Sequence, residues 1–170
     1  MQDRVLAGVK RTNQFIVECR RGGKLRWSAH VPHNLVPSEG LSHGVTSEFK
    51  GAAYTAAWYI GLTDASPTFA AADTMAAHGG WAEVTAYTET GRQVLTLGAV
   101  SAGVANNYAA PGTYSINAAT TVGGAFICTH GAPGSANGTI GGEGAFAEGN
   151  KTVGSGDALS VRVLVQAGAG

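Results

Sequence analysis

Near the C-terminal end, Leu159, Val161, Val163 and Val165 alternate strictly with Ser160, Arg162, Leu164 and Gln166. Only an extended strand sends successive side chains to opposite faces, so 158–166 is a strand with one buried face. It follows the turn cluster Gly154-Ser155-Gly156-Asp157, and it needs neighbours to cover that face. Phe15, Val17 and Cys19 alternate in the same way, and Gly22-Gly23 then separates them from Leu25-Arg26-Trp27-Ser28-Ala29, a hairpin signature. Ala57–Leu62 is apolar, aromatic and too short for a helix, which predicts a central strand. Further strands are expected at Ala82–Tyr87, Gln93–Gly98, Thr113–Ala118, Thr121–Thr129 and Gly138–Ala147. About nine short strands without intervening helices predict an all-β, antiparallel β-sandwich, most simply jelly-roll-like. Short helices are expected in its long loops. From Ser38, Leu41, Val45 and Phe49 fall on one helical face, and the Ala-rich run Ala70–Ala77, closed by Gly79-Gly80, suits about two turns ended by a left-handed glycine.

The chain of 170 residues is long enough for one domain that buries roughly two-thirds of its unfolded surface. We expect a basic arm at 1–13, a sandwich at 14–166 and a disordered tail at 167–170. Twenty-six glycines without a G-X-Y period exclude collagen and point to turns. Charged residues make up 13%, about half the usual share, and the net charge is zero, which argues against nucleic-acid binding by bulk charge. Met1-Gln2-Asp3-Arg4 opens no apolar run, and no stretch reaches the roughly 20 residues of a membrane helix, so a soluble protein made in a cytoplasm is expected. Neutrality hides an asymmetry: residues 1–30 carry seven basic side chains against Asp3 and Glu18, a balance of +5, and the remainder carries −5. Such polarity suits head-to-tail packing or docking on an acidic surface; a solvated basic hairpin face is the plainer reading.

Candidate chemistry is sparse. Cys19 and Cys128 stand alone, as buried thiols rather than a disulfide framework. His30-x-x-His33 points to opposite faces of a strand, and Cys128-x-His130 lacks the second ligand pair that a structural zinc needs, so no metal and no cofactor is expected. Asp73, His78 and Glu83 could bring carboxylate and imidazole together near Trp81, yet no G-x-S-x-G elbow supplies a nucleophile, and a non-enzymatic chain is expected. Most of the aromatic residues are assigned to the core.

Taken as one pattern, Val17-Glu18-Cys19 with Gly22-Gly23 and Trp27, then Asn34-Leu35-Val36, Glu39-Gly40-Leu41 and Trp58–Leu62, continue into a distinctive block from Asp73 through His78 and Trp81 to Glu83, with Tyr87 and Arg92 behind it. Gly124-Ala125-Phe126, Phe146 and Gly156–Leu159 complete the pattern. It resembles a family of tailed-bacteriophage virion proteins interpreted as head decoration or cement proteins. The family tends to place Pro after the residue matching Arg92, where this chain has Gln93. The resemblance implies a protein on the capsid surface, assembled in the bacterial host cytoplasm, whose partners are the major capsid protein and further copies of itself, a homotrimer first and a dimer second. No membrane or direct nucleic-acid partner is implied. It also implies that Trp27, Trp58, Asp73, His78, Trp81 and Phe126 are structural, while Arg4, Lys10, Arg11, Arg20 and Arg21 are candidate capsid contacts. A glycan-binding module of the tail or fibre and a hydrolase using Asp73, His78 and Glu83 are the alternatives.

Overall fold

The computed structural model describes residues 9–32, 34–50 and 57–169. Eleven strands and one helix occur among them, in the order β1 (Val9–Arg21), β2 (Lys24–Val31), α1 (Ser38–Phe49), β3 (Tyr59–Thr63), β4 (Gln93–Val94), β5 (Val104–Asn106), β6 (Gly112–Ser115), β7 (Thr120–Val122), β8 (Gly124–Cys128), β9 (Ile140–Ala145), β10 (Lys151–Val153) and β11 (Asp157–Ala169). No helix among the described residues is long and apolar enough to cross a membrane.

The expected hairpin sets up the first sheet. Gly22 and Gly23 take φ of 56° and 78°, the paired positive values of a type I′ turn, and β1 and β2 run back antiparallel from them. β11 lies along the other side of β1, in register from Arg21↔Asp157 to Val9↔Ala169. β5 and β6 share its far edge. Between them Asn107, itself buried, accepts the Val163 N–H at 2.6 Å and donates to the Val161 carbonyl at 3.2 Å, replacing the ladder where the main chain leaves the edge. The alternating residues of β11 therefore face inward from a central strand, with Leu159, Val161 and Val163 opposite Cys19, Val17 and Phe15.

The second sheet has the order β4-β3-β8-β9, and β7 pairs with β10 separately. All pairings are antiparallel, and Ile60, Leu62, Ala125 and Ile127 pack with Phe15, Val17 and Leu159 in one core, so the molecule is an all-β sandwich. The pairing establishes a sandwich and not the finer jelly-roll winding. Tyr114 on β6 links the layers by donating to the Ile60 carbonyl at 2.5 Å and accepting from the Gln93 N–H. β8 is buried on both faces, because the chain between β3 and β4 covers the outer one: Met75 and Trp81 pack there on Phe126, Cys128 and Ile140. Gly61 pairs with Phe126 across the strands, and a Cβ there would overlap the Phe126 ring, so the ring can lie across β3 only over a glycine.

Several expectations are corrected. Ala70–Ala77 forms turns and no helix. Asp73 Oδ2 accepts the Ala70 N–H at 2.9 Å, Thr74 and Ala77 exchange two backbone bonds, and Thr74 Oγ1 also takes the Ala77 N–H. Side-chain bonds of this kind compete with helix at Asp and Thr, and neither Gly79 nor Gly80 has a positive φ. Ala82–Tyr87 contributes only isolated bridges at Glu83 and Tyr87, β4 shortens to two residues, and Thr121–Thr129 divides into β7 and β8 at Gly123. β5 and β10 were not expected. β1 begins at Val9, so residues 9–13 belong to the sheet and not to an arm, while 1–8 lie outside the described residues. Residues 167–169 continue β11, held by β1 and by the Ala167 N–H on the Gly103 carbonyl; they are not a disordered tail.

The helix at Ser38 forms as expected but is turned. Its buried residues are Gly40 and Gly44, whereas Leu41, Val45 and Phe49 are 48%, 56% and 79% exposed. A Cβ on Gly40 would overlap the Ile140 carbonyl, so the helix lies against β9 through Gly40 and its apolar stripe faces outward.

Candidate functional site

The polar groups singled out in the sequence collect between the covering segment and the second sheet. Trp81 organises them. Its indole stacks on His78 with ring centroids 3.8 Å apart and 15° between planes, and it tilts against Phe126 at 4.7 Å. His78 Nδ1 lies 3.1 Å from the Trp81 carbonyl, so that nitrogen carries the hydrogen and leaves Nε2 as the acceptor of the neutral ring. The Trp81 indole N–H donates to Glu143 Oε2 at 3.1 Å.

Glu143 is fully buried on β9, where its backbone bridges to Leu35. No N–H or O–H group reaches its Oε1, and the carboxyl beside it is that of Asp73. Two carboxylates facing one another repel unless one holds a proton. Burial, reinforced by the negative charge of Asp73, pushes Glu143 up to about 8 against the pull of the Trp81 N–H. A carboxyl raised to about 8 favours its protonated form at neutral pH, and the Asp73 carboxyl lies beside it to share that proton. Asp73 is also tied to the Ala70 N–H, which fixes the turn that carries it.

Glu83 belongs to a different group. Arg92 holds it through two parallel bonds of 2.8 Å, from Nε to Oε1 and from Nη2 to Oε2, with both side chains buried. Arg92 Nη1 donates to the His130 carbonyl at 2.7 Å and to Cys128 Sγ at 3.3 Å, and the guanidinium lies 5.3 Å from the Phe126 ring centre. Glu83 Oε2 further accepts the Gly134 N–H at 2.6 Å. Burial tends to remove the charge of Arg92, but the Glu83 carboxylate outweighs this and holds the arginine above its ordinary value. The Cys128 thiol is pushed up by burial despite Arg92.

An open groove of about 310 Å³ runs past these groups, lined by His78, Trp81, Glu83, Arg92 and Ser135. The structure thus brings Asp73 to Glu143 and His78 to Trp81, but among the described residues no hydrogen bond joins Asp73, His78 and Glu83 to each other. Ser135 accepts the Asn137 N–H and makes no bond to His78. The arrangement can fix the covering segment and present the His78 edge to the groove. It holds no nucleophile paired with a base.

The remaining candidates are spread over the molecule. Trp27 packs on Phe146 with centroids 6.4 Å apart, and Trp58 lies edge-on to His43 over Gly141. Arg20 pairs with Glu18, and Arg21 with Asp157, which Arg26 and the Gly154 N–H also bind, so part of the N-terminal charge is neutralised within the fold. Lys10 and Arg11 lie on β1, and Arg4 falls outside the described residues. Cys19 and Cys128 are both free and buried, and burial beside Asp157 lifts Cys19 to about 11. His30 bonds Glu148 at 2.7 Å, and His33 lies outside the described residues; no group of three metal-ligating side chains occurs among those described.

Glu143 escaped the sequence reading because Gly141-Gly142-Glu143-Gly144 looks like strand or turn glycine. The available signal was one carboxylate amid small and apolar residues in a segment expected to be a strand. Arg92 was likewise visible only as a member of the resemblance, and Asp157 as a turn residue and a member of it, neither as a charge partner. Comparison with family models, with curated proteins and with solved structures finds no match for this chain.

Proposed function

We propose that this protein is a non-enzymatic virion component that decorates the outside of a phage head and stabilises the shell. The observation that carries the reading is where its apolar surface lies. Leu41, Val45 and Phe49 on α1, with Val94, Leu97 and Val100 in the segment after β3, are large hydrophobic side chains left exposed on a chain otherwise well packed. Exposed apolar side chains in number suit a protein contact. The conspicuous polar groups, by contrast, are spent on internal bonds around Trp81, as a framework requires. The resemblance in the sequence supplies the virion context, and its marker residues Trp81 and Phe126 belong to that framework.

In this reading the protein binds only the assembled shell and stabilises it by mass action against expansion and internal pressure. The basic residues Lys10 and Arg11, with Arg4 before them, are the candidate contacts with the shell, and a symmetric trimer is the first expectation, a dimer the second. The test is to add the purified chain to undecorated heads and count the copies bound. A copy number fixed by the capsid lattice, reduced in high salt and by deletion of residues 1–8, is the expected result. Location solely at the tail tip, or saturable binding to cell-surface glycans without binding to heads, would replace this reading with the attachment one. Turnover of an ester, peptide or glycoside that is lost in His78→Ala would replace it with the hydrolase.

A further inference from the structure

Beneath α1 lies a cavity of about 140 Å³ that has no part in the network around Trp81. Its walls are Trp58, Leu95, Ile127 and Val165 with the buried amide side chain of Asn13, and at its rim stand Arg11 and Leu97, both exposed. A dry apolar space of roughly 150 Å³ accommodates one benzene-sized group, so the volume matches a single leucine or phenylalanine side chain.

Arg11 is the unusual member. Of the six described arginines, Arg20, Arg21, Arg26, Arg92 and Arg162 each pair with a carboxylate. Arg11 pairs with none and makes no hydrogen bond among the described residues. Its guanidinium is nonetheless lodged where the helix passes over it, because Gly44 has no side chain: a Cβ there would overlap Arg11 Nη1. Leu97 leaves exposed hydrophobic surface at the opening, which a protein partner would cover and a small solute would leave wet.

We propose that this cavity is an anchor pocket for a protein partner, taking one leucine- or phenylalanine-sized side chain from an acidic peptide segment whose carboxylate meets Arg11. The apolar anchor gains from leaving water, and the guanidinium offers a planar pair of donors to the flanking carboxylate. The inference goes beyond the capsid reading and holds whichever macromolecule carries the segment.

The probes are three short, fluorescein-labelled Gly/Ser peptides with Asp-Phe-Asp, Lys-Phe-Lys or Asp-Ala-Asp at the centre, titrated against the full chain by anisotropy. Saturable binding of Asp-Phe-Asp is expected, at least ~10-fold tighter than the other two. Arg11→Gln should weaken it about tenfold, Leu97→Asp should abolish it, and Lys24→Gln at the distant hairpin turn should leave it unchanged, each variant keeping the parent melting temperature. Equal binding of the three peptides, binding of none, or an unchanged affinity in Arg11→Gln overturns the proposal. Phenylacetate binding as tightly as the Asp-Phe-Asp peptide would also overturn it, since the site would then belong to a small carboxylate. Because no heads are present, this outcome is independent of whether the chain decorates a shell.

Discussion

Asp157 and Glu143 are both carboxyl groups without exposed surface, and they end in opposite states. Asp157 sits at the edge of the first sheet beneath Arg21 and Arg26, whose own side chains are about half exposed, and it also receives the Gly154 N–H. Burial would raise it, but these donors outweigh the effect and hold it below the ordinary carboxylate value. Glu143 lies on β9 beneath the covering segment with one donor, Trp81, and two acidic neighbours, Asp73 and then Glu39, and is pushed up to about 8. The number and charge of the donors, and not burial alone, set the charge of each group. One region is therefore closed by an ion cluster near water, and the other by a shared proton in a dry layer.

The largest effect is expected where the dry layer loses its centre. Trp81→Ala removes the only N–H that reaches the Glu143 carboxyl among the described residues, together with a large aromatic side chain between the covering segment and β8, and should cost ~3–5 kcal/mol. With about 2–4 °C per kcal/mol for a chain of this size, the melting temperature should fall accordingly. An unchanged value would mean that Trp81 is not packed as described.

Glu143→Gln sharpens the contrast without breaking the packing, since the amide can donate to Asp73 and still accept from Trp81. The folded-state value of Glu143 is above that of the unfolded chain, so its stabilising protonation is complete below pH 4.5 and is lost as pH rises to about 8. The wild type should therefore fall behind the variant over that interval, with nearly equal stability near pH 4.5 and a gap on the order of 4 kcal/mol at pH 8. Parallel melting curves across the range would show that Glu143 is not held neutral.

The two regions also differed in how far they could be read beforehand. The first sheet was legible because its strands keep one face wet: Phe15, Val17 and Cys19, and Leu159, Val161 and Val163, alternate with polar residues, and Gly22-Gly23 marks the turn. β8 has no wet face, so Gly124–Cys128 carries no alternation. The covering segment was misread as helical at Ala70–Ala77 because composition favours helix there, whereas bonds from Asp73 and Thr74 decide it locally. On α1 the apolar period located the helix and misplaced its inner face, since Gly40 approaches β9, and Gly44 the Arg11 side chain of β1, more closely than Leu41 or Val45 could. The carboxyl pair was out of reach for a simpler reason. Asp73 and Glu143 are far apart in the sequence, and only the fold makes them neighbours.

The smallest of the three effects is expected at the ion cluster. Asp157→Asn keeps an oxygen for the Gly154 N–H and for one guanidinium but removes the negative charge, and Arg21 and Arg26 can turn to water because they are half exposed. The loss is thus a charge-assisted increment and not a buried unpaired ion, about 1–2 kcal/mol at pH 7. Its pH dependence runs opposite to that of Glu143. The folded-state value of Asp157 lies below its ordinary 3.8, so its stabilisation is present above that pH and is lost as pH falls through the folded value. The gap between wild type and Asp157→Asn should accordingly be constant from pH 5 to 8 and close in strong acid, where both chains carry a neutral group. Neutralising Arg21 and Arg26 together should reproduce the same closing gap while leaving the Glu143-dependent decline between pH 4.5 and 8 intact. If the double arginine variant altered that upper decline, the two carboxyl groups would be coupled through the sandwich, and the separation of a wet, charged edge from a dry, protonated layer would be wrong.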